Sequence, residues 1–223
     1  MTGLGNETRI EKVIPDHSGI RGCIMGNYLV VSRVENLEKH MALSREYGVS
    51  FEINDFYDPD VLEDRQRQQH IIAKYQEIGI PEGSTMHGAF LDVVVFSQDP
   101  GIRKVSERRM RQSMELAAEL GVKGVVFHTN VKPMLSAKEY DDNAVRGTSL
   151  YLENLLSDFP DIEIYLENMF DASPDVLVQI SQNLSHHPNY GVCFDYAHAM
   201  IYGTAIDNWA KQLAPYVKHI HIN

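Results

Sequence analysis

Short apolar runs rich in β-branched residues alternate with longer amphipathic segments along most of the chain. Each apolar run is long enough for one strand, and the segments between them carry apolar residues at helical spacing. This alternation is typical of a parallel sheet with helices packed on it. Seven strands are predicted, at Ile20–Met25, Val49–Ile53, Ser84–His87, Gly124–His128, Ile162–Glu167, Gly191–Asp195 and Val217–Ile222.

Seven successive strand–helix units fit either a doubly wound open sheet or a TIM barrel. The sequence has no G-x-G-x-x-G after the first predicted strand, and it has no G-x-x-x-x-G-K-[ST] at any position. The two nucleotide-binding alternatives therefore lose their main support. We therefore predict an α/β fold of the TIM (β/α)₈ type, in one domain over residues 1–223. The eighth strand is missing, and we expect either a truncated chain or an eighth element supplied by a partner subunit or by the segment Arg9–Ile14.

The charge balance bears on the kind of partner. Lys and Arg total 20 against 31 Asp and Glu, which gives a net charge of −11. A field of this sign repels phosphate backbones, so nucleic acid is a disfavoured partner. With two cysteines and no apolar run approaching the roughly 20 residues that span a bilayer, we expect a cytoplasmic protein without membrane contact. A homo-oligomer is left open.

Ionisable residues stand where five consecutive predicted strands end. They are His87, His128, Glu167, Asp195 and His221, and His198 follows three residues after Asp195. In a parallel barrel these ends open on one face, where barrel active sites are built. Imidazole and carboxylate groups are preferred ligands of zinc and manganese, and a carboxylate that ends an apolar strand is costly unless it is paired or binds a cation. The pattern predicts a catalytic site for a divalent metal ion.

Other polar residues near these ends are candidates for substrate contact. Glu52 and Asn54 end the second predicted strand and Asn168 follows Glu167, although capping of loops would explain them equally well. Because side chains alternate along a strand, His219 points the same way as His221 but one layer deeper. His186 and His187 precede Pro188-Asn189, which indicates an exposed loop.

The motifs MHGAFLD, VVFHTN, IYLENM, CFDYAHA and HIHIN, on the third to seventh predicted strands, resemble those of the xylose-isomerase-like TIM barrels. This family includes sugar isomerases and epimerases and the apurinic-site endonucleases. The resemblance runs from about Gly19 to the end of the chain. It implies that His87, His128 and Glu167 hold one metal and that Glu167, Asp195 and His221 hold a second, with Glu167 bridging. His198 matches a third-metal or substrate ligand.

The resemblance also implies a reaction. We expect a metal-dependent isomerase or epimerase that acts on a small sugar, sugar phosphate or polyol-derived carbonyl compound through an enediolate, with Glu167 and His198 as catalytic residues. In the family the eighth strand supplies a further carboxylate ligand and the second acid or base. Two alternatives stay open: a metal-dependent phosphodiesterase of the apurinic-endonuclease type, and an inactive barrel that binds a metal or metabolite.

Overall fold

A computed structural model describes residues 28–135, 137–203 and 205–222. Its strands are β1 Leu29–Ser32, β2 Ser50–Ile53, β3 Thr85–His87, β4 Gly124–His128, β5 Glu163–Glu167, β6 Tyr190–Asp195 and β7 Val217–His221. Its α-helices are α1 Leu37–Tyr47, α2 Pro59–Glu63, α3 Arg65–Ile78, α4 Pro100–Leu120, α5 Lys138–Asp158, α6 Asp175–Leu184, α7 Tyr196–Tyr202 and α8 Ile206–Leu213. Short 3₁₀ turns lie at Val34–Asn36 and Pro133–Leu135.

All seven strands are parallel and form one sheet in chain order, with helices between them. The α/β TIM-type fold is thus confirmed as a seven-stranded part-barrel, in which β1 and β7 form the two edges among the described residues. A closed barrel has no edges, so this sheet is consistent with a missing eighth strand.

β1 is an addition to the predicted strands. The strand that pairs with β2 is Leu29–Ser32, which the sequence analysis did not identify, whereas Ile20–Met25 and the segment Arg9–Ile14 lie outside the described residues. The other six predicted strands match β2 to β7 to within one residue at each end.

Two layers of side chains arise from the alternation along the strands. Outward-facing residues such as Phe51, Phe127 and Leu166 are buried against the helices and form most of the core. Inward-facing Val126, Tyr165 and Cys193 form a separate small cluster inside the sheet. Above this cluster, towards the carboxyl ends of the strands, the inward positions become ionisable. The packed layers therefore place the candidate site at the mouth of the part-barrel.

Candidate metal centre

Strand register brings the predicted ligands side by side. His128 on β4 pairs with Glu167 on β5, and Asp195 on β6 pairs with His221 on β7. Paired residues of parallel strands share a face, so these four side chains point into the same interior. Asp195 also caps α7, because its carboxylate accepts a hydrogen bond from the backbone N–H of His198 at 2.7 Å. The cap fixes His198 at the start of α7, beside the strand ends.

Glu167 lies at the centre of the site and is 1% exposed. Its two carboxylate oxygens face different imidazoles. Oε1 lies 3.2 Å from Nδ1 of both His198 and His221. Oε2 lies 3.3 Å from Nε2 of His128 and 3.6 Å from Nε2 of His87. The Glu167 carboxylate therefore faces two separate pairs of predicted ligands, one pair at each oxygen.

The charge of Glu167 follows from these neighbours. Burial by itself would raise the pKa of the Glu167 carboxyl, but close contacts with the surrounding histidines outweigh burial and hold the pKa well below its usual range. Burial lowers the pKa of His128, more than the contact with Glu167 raises it. The site therefore combines an anionic carboxylate with an imidazole that favours its neutral, metal-binding form.

Two of the histidines are fixed by contacts on the side that faces away from Glu167. His87 donates from Nδ1 to the backbone carbonyl of Gly88 at 3.1 Å, which leaves the lone pair on Nε2, the nitrogen nearest Glu167. His221 donates from Nε2 to Glu52 at 3.0 Å, and its Nδ1 faces Glu167. Burial lowers the pKa of His221, but contacts with Cys193, Glu167 and Glu52 outweigh burial and raise it, so Nδ1 becomes a ligand when a metal displaces its proton. An imidazole whose far nitrogen donates to a carbonyl or carboxylate is the usual arrangement of a metal ligand.

A divalent ion fits this donor set. Glu167 Oε2 is buried and has no hydrogen-bond partner in the described part of the chain, so its negative charge is incompletely compensated. Two groups of three residues place ligand atoms within 4.8 Å of one another: His87, His128 and Glu167, and Glu167, Asp195 and His221. Both sets mix nitrogen and oxygen donors, which suits zinc or manganese.

His198 is arranged differently from the other imidazoles. Its Nδ1 donates to the backbone carbonyl of Asn168 at 3.0 Å and also lies 3.5 Å from Asp195 Oδ2. Contact with Glu167 raises the pKa of His198, while burial opposes this. The side chain is 20% exposed, which is more than Glu167 or Asp195. This orientation leaves Nε2 as the nitrogen available to a molecule in the mouth.

The three predicted substrate residues differ in their surroundings. Glu52 is 4% exposed and contacts His219 and His221, and Asn168 is 1% exposed. The Asn168 amide exchanges two hydrogen bonds of 2.9 Å with the backbone of Asp195, so it holds the end of β6 in place. Asn54 Oδ1 is buried without a hydrogen-bond partner among the residues that the structure describes. Substrate contact stays a prediction for all three.

Sequence reasoning missed Tyr57 and Asp171. Tyr57 stacks on Phe90 with ring centroids 5.0 Å apart, and the Phe90 ring lies 4.9 Å from that of His128. Asp171 is buried behind the mouth, where it accepts hydrogen bonds from Thr129 and from the backbone N–H of Met169. The apolar context of Phe90 is visible in the sequence, but its partner 33 residues earlier gives no local signal.

The fold and the ligand set together define a class: parallel βα barrels with a histidine–carboxylate centre at the carboxyl ends of their strands. Residues 41–223 match the family model described as xylose isomerase-like TIM barrel. The chain belongs to this family, as its motifs predicted. No curated protein matched the sequence.

Solved structures share the fold. The TTHB071 protein from Thermus thermophilus, soaked with ZnCl₂, has a TM-score of 0.68 at 22% identity, over 88% of this chain and 76% of its own. A D-tagatose 3-epimerase-like protein has a TM-score of 0.67 at 23% identity, over 89% and 76%. Endonuclease IV from Thermus thermophilus has a TM-score of 0.56 at 16% identity, over 88% and 75%. These likenesses include both sugar-epimerase and endonuclease folds.

Helix length bears on membrane contact. Among the described residues, every helix is too short or too polar to cross a bilayer.

Proposed function

We propose that the protein is a metal-dependent isomerase or epimerase that acts on a small sugar, sugar phosphate or polyol-derived carbonyl compound. The observation that carries this proposal is the convergence of Glu167, Asp195 and His221 at the mouth, with ligand atoms within 4.8 Å of one another. Three ligands of this kind leave coordination positions open for two neighbouring substrate oxygens. Similarity to an epimerase-like structure supports the proposal.

Glu167, Asp195 and His221 would hold the ion, which when bound would polarise a substrate carbonyl and acidify the neighbouring C–H. Glu167 is the proposed base for this proton, because it is anionic and lies at the centre of the site. His198 is proposed to hold or transfer a proton at a substrate oxygen through Nε2, since Nδ1 is engaged with Asn168. Asn168 positions Asp195 by binding its backbone.

An aromatic wall beside the ligands supports a small ring-shaped or chain-like substrate. We define it as Tyr57 and Phe90, both partly exposed. Phe90 lies against His87 and His128, with ring centroids 5.0 and 4.9 Å away. The exposed Arg33 guanidinium lies 5.4 Å from the centre of the Tyr57 ring. The wall would contact the apolar face of a sugar, and Arg33 would meet an anionic group at its far end.

The test is proton exchange. The metal-loaded protein is incubated in D₂O with candidate ketoses and ketose phosphates, and solvent deuterium at the carbon next to the carbonyl is measured by NMR. We expect incorporation that is lost in Glu167→Gln. Absence of incorporation for every candidate, with metal bound, would contradict this function and favour the inactive barrel.

A second candidate, hydrolysis of a phosphodiester, is favoured by one observation. His87 and His128 face Glu167 Oε2, whereas His221 faces Oε1, so the carboxylate can bridge two ions. Paired ions suit attack on a phosphodiester. The net charge of −11 opposes a nucleic-acid substrate. Cleavage of bis(4-nitrophenyl) phosphate and of abasic duplex DNA at low salt separates the two functions, because we expect His128→Asn to abolish hydrolysis.

A further inference from the structure

A further group of possible metal ligands lies at the end of the part-barrel opposite the strand-end motifs. Glu153 lies on α5, and His186 and His187 lie in the loop that joins α6 to β6. This loop precedes its strand, so it lies at the amino-terminal end of the part-barrel, opposite the mouth. The cluster is therefore separate from the candidate metal centre.

The geometry of this cluster resembles a coordination shell. Nε2 of His186 and Nε2 of His187 each lie 3.1 Å from the same oxygen, Glu153 Oε1. Metal–ligand distances of about 2.0–2.1 Å place tetrahedral zinc ligands roughly 3.3–3.4 Å apart, close to these separations. The two imidazole centroids are 4.3 Å apart, with their planes inclined at 43°.

His187 supplies independent support for a ligand. Its side chain is only 14% exposed, and its Nε2 is buried without a hydrogen-bond partner in the described structure, although it lies beside Glu153. The His187 Nε2 and the Glu153 carboxylate lie 3.1 Å apart outside hydrogen-bond geometry, so an ion between them would bond to both groups. His186, at 60% exposed, and Glu153, at 43%, keep the cluster open to solvent.

The loop is fixed in place before any ion binds. Asn189 donates from Nδ2 to the carbonyls of Leu156, Phe159 and Ile162 at 3.1 to 3.3 Å. The backbone N–H of His187 bonds to the carbonyl of Leu184 at 3.0 Å. The histidines are thus held near Glu153, which reduces the entropy that binding would cost.

We propose that Glu153, His186 and His187 form a second binding site for zinc or a similar divalent transition metal, which ties α5 to the loop before β6. The two nitrogens and one carboxylate oxygen leave the fourth tetrahedral position to water on the exposed side. Its ligand type favours zinc over magnesium or calcium, which prefer oxygen. The site does not depend on the function proposed for the mouth.

The experiment is a calorimetric titration of metal-free protein with ZnCl₂, in wild type and in Glu167→Gln. We expect Glu167→Gln to retain one zinc equivalent. Adding His186→Ala should weaken that binding at least about tenfold, as expected when a metal ligand is lost. His186 is mostly exposed, so this change should not disturb folding. His70→Ala, another exposed histidine, is the matched control and should leave binding unchanged.

Two further variants test the site in case the protein with both Glu167→Gln and His186→Ala does not fold. Glu153→Gln should weaken the same equivalent, and in wild type His186→Ala should remove one equivalent while the others remain. Cobalt(II) titration should give tetrahedral absorption bands that His186→Ala abolishes in the Glu167→Gln protein. Zinc binding that is unchanged by both His186→Ala and Glu153→Gln would overturn the proposal, as would failure of Glu167→Gln to bind zinc.

Discussion

Glu52 and Glu167 are buried carboxylates in the interior of the part-barrel that both contact histidines, yet their hydrogen bonding differs within the described residues. Glu52 Oε2 accepts hydrogen bonds from His219 at 2.9 Å and His221 at 3.0 Å. Glu167 also lies among histidines, but its Oε2 has no hydrogen-bond partner there. We call these the Glu52 layer (Glu52, His219) and the Glu167 layer (His87, His128, Glu167, Asp195, His221).

His221 links the two layers. Its Nε2 binds Glu52 below, and its Nδ1 faces Glu167 Oε1 above. Glu52 Oε2 therefore has two imidazole partners, and its bond to His221 sets which nitrogen of that ring faces Glu167. In the Glu167 layer, Glu167 Oε2 has no hydrogen-bond partner among the described residues, so a bound cation would compensate its negative charge. The difference indicates that the Glu52 layer is a supporting layer and that the Glu167 layer above it is the binding layer.

The largest effect is expected from removing the charge at the centre of the binding layer. Glu167→Gln should reduce zinc or manganese affinity at the mouth by about 10³-fold or more, because loss of a supporting contact alone costs up to about 100-fold. Metal content by elemental analysis and competition with a chelator measure this. Glu163→Gln, on the same strand but paired with Lys123 and Lys218 at its other end, is the control. Equal metal content in both variants would contradict a Glu167 ligand.

The strand-end residues show how far sequence could predict this site. In a parallel sheet all carboxyl ends lie on one face, so strand limits alone predicted that His87, His128 and Glu167 meet. Which oxygen of Glu167 faces which imidazole depends on strand register and rotamers, which have no local sequence signal. The same holds for the bond between Glu52 and His219, since 167 residues separate them.

The first strand shows the limit for the fold. The chain near β1 offers two apolar runs, Ile20–Met25 and Tyr28–Val31, and periodicity cannot choose between them. The pairing of Val30 with Phe51 identifies the second run as a strand through tertiary contact. β1 is short and Val31 is 55% exposed, as suits an edge strand with a weak apolar signal.

Asp171 is another buried carboxyl, and it differs from Glu52 because no imidazole of the described residues forms a hydrogen bond with it. Burial raises its pKa to about 6, although hydrogen bonds from Thr129 and Met169 oppose this. The unfolded value is about 3.9, so between about pH 4 and pH 6 the folded protein retains a proton that the unfolded chain has lost. The free energy of unfolding should therefore fall as pH rises through this window, by at most about 3 kcal/mol.

Asp171→Asn should remove this pH dependence, because an amide does not titrate. Urea unfolding at pH 4, 5, 6 and 7 measures it, with wild type and the exposed Asp161→Asn as references. We expect Asp171→Asn to be as stable as wild type near pH 4 and more stable at pH 7. Parallel curves for Asp171→Asn and wild type would show that Asp171 titrates alike in both states.

A smaller effect is expected in the supporting layer. Glu52→Gln replaces an acceptor of two imidazole N–H groups by an amide that cannot serve both equally. His221 then loses its fixed orientation, and metal affinity at the mouth should fall about 10- to 100-fold, as for other outer contacts of metal ligands. Chelator competition measures the change, and Glu82→Gln, an exposed glutamate, is the control. Unchanged affinity would make the Glu52 layer a packing feature with no influence on the binding layer.

The smallest effect is expected above the binding layer, at the aromatic wall. Tyr57→Leu keeps apolar area but removes the ring that stacks on Phe90 at 5.0 Å, and with it a contact worth about 0.5–1.5 kcal/mol. If the wall binds substrate, KM should rise about 2- to 10-fold while kcat and metal content stay near wild type. Tyr47→Leu, at an exposed tyrosine on α1, is the control. A fall in the metal content of Tyr57→Leu would instead show that the aromatic wall affects metal binding. Phe90 would transmit this effect by shifting His87 or His128, which it contacts.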